Sequence, residues 1–175
     1  MTANYLNIDY LKEGTPIQKK VYKRISKHNV LEKLEKYNPI VVGTYPLDIN
    51  IESSDIDIIG QTNNFIEAVD DLIKKFSEYH NFSIRTTEKN HKIILVCSFW
   101  IKKFRFEVYL ENKNPLEQSA YKHMLTEAKI LKSKDELFKK EIINLKNKGI
   151  STEEAFALLL GLEGDPYEML LNFEV

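Results

Sequence analysis

The sequence predicts an α/β (α+β) fold: a mixed, mostly antiparallel sheet with helices on one side, followed by a helical C-terminal subdomain. Three observations predict it. Short β-branched and aromatic runs bounded by turn residues recur between Ile40 and Leu110. One strongly amphipathic stretch, Phe65 to Phe76, interrupts them. After Pro115 the apolar residues recur at helical spacing to the end of the chain. These patterns divide the chain into a core over 1–112 and a helical segment over 113–175. No repeat, low-complexity tract or linker separates the two, so one compact unit is expected.

The elements follow in order. Thr15-Pro16-Ile17-Gln18 is a helix start, because a threonine cap, a proline in the first turn and a glutamine at the third position satisfy free backbone donors. Ile17, Val21 and Ile25 supply its apolar stripe. The pattern weakens at Lys27-His28-Asn29, where Asn29 to Glu32 offers a second capping box and predicts a short helix through Tyr37. Ile40-Val41-Val42 is a strand ending at Gly43, a loop with Pro46 follows, and Ile56, Ile58 and Ile59 mark a second strand. Asn63-Asn64 caps the amphipathic helix Phe65 to Phe76, whose apolar side must lie on a sheet. Phe82 to Thr87, Lys92 to Ile101 and Phe104 to Leu110 then read as an antiparallel meander with tight connections at Lys89-Asn90 and Lys102-Lys103. Four helices complete the chain: one with the stripe Tyr121 to Leu131, one from Phe138 to Leu145 stopping at Gly149, and two started by Ser151 to Glu154 and by Asp165-Pro166.

The totals limit the function. With 43% hydrophobic residues over 175 positions, the chain can bury one good core. Lys plus Arg number 25 against 26 Asp plus Glu, so there is no global positive field and non-specific nucleic-acid binding is not expected. Cys97 is the only cysteine, which excludes an internal disulfide and a multi-thiolate zinc site and fits a reduced, cytoplasmic setting. No run approaches the length of a membrane span and the N-terminus lacks a secretory pattern, so a soluble protein without a membrane partner is expected.

The chemistry lies in the acids. In Ser53-Ser54-Asp55-Ile56-Asp57-Ile58 the two aspartates alternate with isoleucine on a predicted strand, so both carboxylates point to one face. Like charges placed that way repel, and a divalent cation between them relieves the repulsion. Further on, Phe104, Phe106, Val108 and Leu110 alternate with Arg105, Glu107 and Tyr109, which puts Glu107 on the polar face of a core strand. If the two strands are neighbours, three carboxylates converge and can hold magnesium ions for in-line transfer at phosphorus.

Gly43-Thr44, an intervening loop, Ser53-Ser54-Asp55-Ile56-Asp57-Ile58 and Phe106-Glu107-Val108 together resemble the signature of the nucleotidyltransferase superfamily, the polymerase-beta-like fold. Threonine stands where that pattern usually has serine, and glutamate is an accepted third acid. The segments Tyr121 to Met124 and Gly161 to Glu168 are similar to an uncharacterised bacterial family within it. The resemblance implies Asp55 and Asp57 as ligands of Mg2+ or Mn2+, and Glu107 as a third ligand or as the base for the acceptor hydroxyl. It implies Gly43 and Thr44 as the triphosphate contact and a nucleoside triphosphate as substrate; Ser54 and Arg105 are further candidate nucleotide contacts, and the acceptor, a small molecule or a protein, is not identified. The alternative it leaves open is a catalytically inactive nucleotide- or protein-binding regulatory module, antitoxin-like, on the same fold.

Plainer readings compete at several positions. Arg105 shares a strand face with Glu107 and can hold a phosphate or simply neutralise the acid in an ion pair. His123 lies on a strongly patterned helix, where a hydrogen-bonded structural histidine is the commoner case. His28, His80 and His91 are scattered singly and read as surface residues. Cys97 sits in an apolar run and reads as a small buried hydrophobe. Lys74-Lys75 and Lys102-Lys103 read as a solvated helix face and a hairpin tip.

Overall fold

Ile40–Val42 (β1), Ile56–Gln61 (β2), His80–Lys89 (β3), Lys92–Ile101 (β4) and Phe104–Glu111 (β5) form one five-stranded sheet. Their order is β1-β2-β5-β4-β3 in the computed structural model of the chain, which describes residues 4–89 and 92–174. β2 and β5 run parallel, while β1 pairs with β2, and β3, β4 and β5 pair in sequence, all antiparallel. The sheet is therefore mixed and mostly antiparallel, as the alternation of short strands and one crossover helix implies. Asn90 of the expected Lys89-Asn90 turn, and His91, lie outside the described residues.

By packing, the described residues fall into two units, one running through Val42 and resuming at Asp55–Pro115, the other made of Gly43–Ser54 and the chain from Leu116 onward. The first holds the sheet with the helices Tyr10–Glu13 (α1), Pro16–Lys27 (α2), Val30–Lys33 (α3) and Phe65–Phe76 (α4). α2 starts on the expected box, Thr15 N donating to Gln18 Oε1 at 3.0 Å, and buries Val21 and Ile25 almost completely. α4 is capped by Asn64, whose Oδ1 accepts from Glu67 N at 3.2 Å. It buries Ala68, Leu72 and Phe76, and the Phe76 ring stacks on Phe99 of β4, which stacks on Phe106 of β5. Burial of each such side chain is worth about 1.5–3 kcal/mol. One local expectation fails. Asn29 takes a left-handed φ of 51° and its side chain makes no cap; beyond it α3 ends at Lys33 and a 3-10 turn over Glu35–Tyr37 completes the segment.

The second unit consists of Ser119–Ser133 (α5), Glu136–Asn147 (α6), Thr152–Leu160 (α7), Pro166–Leu171 (α8) and the loop Gly43–Ser54. Asp135 caps α6 on Phe138 N, Ser151 and Glu154 form the capping box of α7, and Asp165 caps α8 on Tyr167 N. The sequence places its boundary near residue 112, whereas the loop Gly43–Ser54 groups with the helices. Its anchors explain this: Lys146 Nζ of α6 donates to the Ile49 carbonyl at 2.8 Å, and Lys139 of α6 pairs with Asp48 at 2.7 Å. Among the described residues no helix is long and apolar enough to cross a membrane.

Candidate active site

Parallel pairing of β2 with β5 sets Asp57 opposite Glu107, with Ile56 opposite Phe106 and Ile58 opposite Val108. Because side chains alternate along a strand, Ile56, Ile58, Phe106 and Val108, all exposed by 1% or less, occupy the core face and the two acids occupy the other. Asp55 lies one residue before β2 and not inside it, two positions from Asp57.

Arg105 and Tyr109 flank Glu107 at i−2 and i+2, so the period of the strand brings all three to one face. Arg105 Nη2 donates to Glu107 Oε1 at 2.5 Å, and Nη1 donates to Asp55 Oδ2 at 3.1 Å. The Tyr109 hydroxyl donates to Glu107 Oε2 in a short hydrogen bond. Both oxygens of Glu107 are thus engaged, which is what allows an acid only 6% exposed to sit there. Burial pushes the Asp55 carboxyl above its ordinary range, with Arg105 opposing the shift and Glu107 adding to it. Burial also pushes the Tyr109 phenol up, and its hydrogen bond to Glu107 and the charges of Asp57, Glu107 and Asp55 push it further. All three acids therefore act on one hydroxyl.

The carboxylates suit a hard divalent cation in donor chemistry. A cationic group already spans two of them, since the Arg105 guanidinium bonds Asp55 and Glu107 together, so these acids can reach a common positive centre. As they stand, no group of three His, Cys, Asp or Glu side chains among the described residues is arranged to hold a metal ion. Arg105 takes one lone pair on Asp55 Oδ2 and one on Glu107 Oε1, so a cation shared by Asp55, Asp57 and Glu107 would have to compete with its guanidinium for these carboxylates.

The remaining candidates belong to the loop of the second unit. Gly43 follows Val42, the β1 partner of Asp57, and has φ 80°, a conformation that favours glycine. Thr44 accepts from Ile49 N through its carbonyl at 3.1 Å, while its hydroxyl is buried without a hydrogen-bond partner. Ser54 is occupied locally: its Oγ accepts from Ile51 N at 2.9 Å, and its carbonyl accepts from the Tyr45 hydroxyl. His123 is a buried structural histidine bonded through Nε2 to the Tyr167 carbonyl at 2.9 Å. Cys97 is fully buried and its thiol is pushed up to about 12 by burial. Tyr109 is the site residue that motif reading passes over, although its period-two spacing from Glu107 carried the signal.

A family described as a domain of unknown function, DUF4269, matches residues 23–173. A search of curated proteins finds no match. Among solved structures, a variant of the Cid1 poly(U) polymerase bound to MgATP is similar over 87% of this chain and 53% of its own, at 14% identity and a TM-score of 0.55. The polymerase core of TRAMP, an RNA surveillance complex, is similar over 90% of this chain and 49% of its own, at 12% identity and 0.53. The GLD-2/RNP-8 complex is similar over 87% and 60%, at 17% identity and 0.52. The chain spans about half the length of the structures it matches. These likenesses show the polymerase-beta-like nucleotidyltransferase fold.

Proposed function

We propose that this chain, which belongs to the DUF4269 family of domains of unknown function, is a magnesium-dependent nucleotidyltransferase. It moves a nucleoside monophosphate from a nucleoside triphosphate to an acceptor hydroxyl. The observation that carries this reading is the register of Asp57 with Glu107 across β2 and β5, with Asp55 two residues from Asp57, in a chain of nucleotidyltransferase fold. The MgATP bound to the Cid1 polymerase supports the substrate class.

In the reaction the acceptor oxygen attacks the α-phosphorus, a new phosphate ester forms, the bond to the β-phosphate oxygen breaks, and pyrophosphate leaves. Magnesium, when bound, neutralises charge on the phosphates and on the attacking oxygen. Asp55, Asp57 and Glu107 would hold it through carboxylate oxygens. Glu107 is the residue proposed to take the proton of the acceptor hydroxyl. Tyr109 fixes the Glu107 carboxyl through Oε2. Gly43 and Thr44 are the proposed triphosphate contacts, the glycine conformation permitting close backbone approach. Ser54 is held within its loop through amide, carbonyl and hydroxyl, so its part is to shape the turn into Asp55.

The test is incubation of the purified chain with each α-labelled nucleoside triphosphate and Mg2+ or Mn2+. The acceptors are an RNA oligonucleotide, small alcohols and protein, with pyrophosphate release as the readout. Label transfer that is lost in Asp55→Ala with Asp57→Ala is expected; transfer unchanged in that double variant would show the assignment to be wrong.

The alternative, nucleotide binding without chemistry, draws support from Arg105, which already neutralises Asp55 and Glu107. Calorimetry with ATP separates the two, since binding indifferent to magnesium favours the inactive module.

A further inference from the structure

Arg105 holds, by hydrogen bonds of 3.1 and 2.5 Å, one oxygen from each of two acids that the proposed chemistry assigns to a cation. Its Cα is fixed on β5 two residues before Glu107, opposite Trp100 of β4. Its side chain is 39% exposed, against 8% for Glu107 and 23% for Asp55, so the guanidinium has a path to solvent that Glu107 lacks. Glu107 is retained on its other side by Tyr109. Arg105 is thus the most exposed member of the cluster, and Glu107 the most enclosed.

We infer that Arg105 is the resident counter-ion of the carboxylate site, that an arriving divalent cation displaces it from Asp55 Oδ2 and Glu107 Oε1, and that this exchange limits the metal affinity of the site. The inference rests on the proposed reading of Asp55, Asp57 and Glu107 as metal ligands. The competition is of charge and space: the guanidinium fills one lone pair on each of these two oxygens and its positive charge opposes a second cation placed beside it. Two partly buried acids left without any cation would repel, so the guanidinium stabilises the metal-free fold. A divalent cation brings twice the charge to the same oxygens. Arg105 then faces solvent as an uncommitted bidentate donor, suited to phosphate oxygens. It is a positioning residue, acting on the metal through the carboxylates.

The test is Mn2+ binding in the absence of nucleotide, by calorimetry and by the loss of the free Mn2+ electron paramagnetic resonance signal. It compares the wild-type chain with Arg105→Gln, Arg105→Lys and Asp57→Asn. Arg105→Gln is expected to bind Mn2+ about three- to tenfold more tightly, the range set by breaking a part-exposed, two-pronged ion pair. Arg105→Lys is expected to fall between, because an ammonium keeps the charge without the fork. The metal-free Arg105→Gln protein should melt lower than wild type and gain more on adding Mn2+. Unchanged or weaker Mn2+ binding by folded Arg105→Gln overturns the exchange. If Arg105→Gln does not fold, Arg105→Lys decides: tighter binding than wild type supports the exchange, and equal or weaker binding overturns it. Wild-type binding that Asp57→Asn abolishes but Arg105 does not affect sinks the exchange alone. Absence of Mn2+ binding from every protein sinks the metal-ligand reading, and the exchange with it.

Discussion

Asp57 of β2 and Glu107 of β5 are register partners across a parallel strand pair, so two acids far apart in sequence share one face of the sheet. A slip of one residue would turn one of them into the core, where Ile58 and Val108 now sit. Asp57→Asn keeps the shape and removes one charge. Nucleotide transfer should fall by about a hundredfold or more, because a carboxylate proposed to hold the charge-neutralising cation is lost. Transfer assays with the labelled triphosphate check it.

Tyr109→Phe deletes the hydroxyl that holds Glu107 Oε2. A buried acid left one hydrogen bond short costs about 1–3 kcal/mol, measurable by chemical denaturation. In the transfer assay kcat should fall while KM for the triphosphate changes little, since Tyr109 positions Glu107 and is proposed to make no phosphate contact.

Gly60 of β2 is required by close approach. A Cβ there would lie 2.7 Å from Leu110 Cδ2 and 3.0 Å from the Tyr37 carbonyl oxygen. The leucine end can turn aside, but the backbone oxygen cannot. Gly60→Ala should destabilise by about 1–3 kcal/mol in urea titration.

Glu127 of α5 is buried, and burial with the nearby Glu153 charge raises its carboxyl from 4.5 to about 8, against the opposing pull of Lys146. A carboxyl raised in the folded state stabilises the fold fully below the unfolded value. Stability should therefore decline as pH rises from about 4.5 to about 8 and level off above, the sign following from proton uptake by the folded state. Glu127→Gln cannot titrate, so it should flatten that slope and exceed wild-type stability at pH 8. Denaturant midpoints at several pH values measure it.

The fold was legible where the signal is local. Period-two alternation in Phe104 to Leu110 gave a strand with Glu107 on its polar face, and the caps at Thr15, Asn64, Ser151 and Asp165 gave helix starts that the structure contains. Each of these depends on hydrogen bonds or side-chain directions within a few residues. Asn29 misled because capping and left-handed termination use the same residue type, and only the backbone angle separates them.

The sequence by itself determined that Asp57 and Glu107 lie on the strand faces opposite those bearing isoleucine and phenylalanine, since alternation follows from backbone geometry. Only the tertiary structure decided that β2 lies parallel beside β5, that Asp57 falls opposite Glu107, and that Arg105 and Tyr109 take the oxygens of Glu107. It also decided that Gly43–Ser54 packs with the helices, through Lys139 and Lys146. Strand order, register and the partner a long side chain chooses are set by contacts between distant segments, which no local pattern encodes.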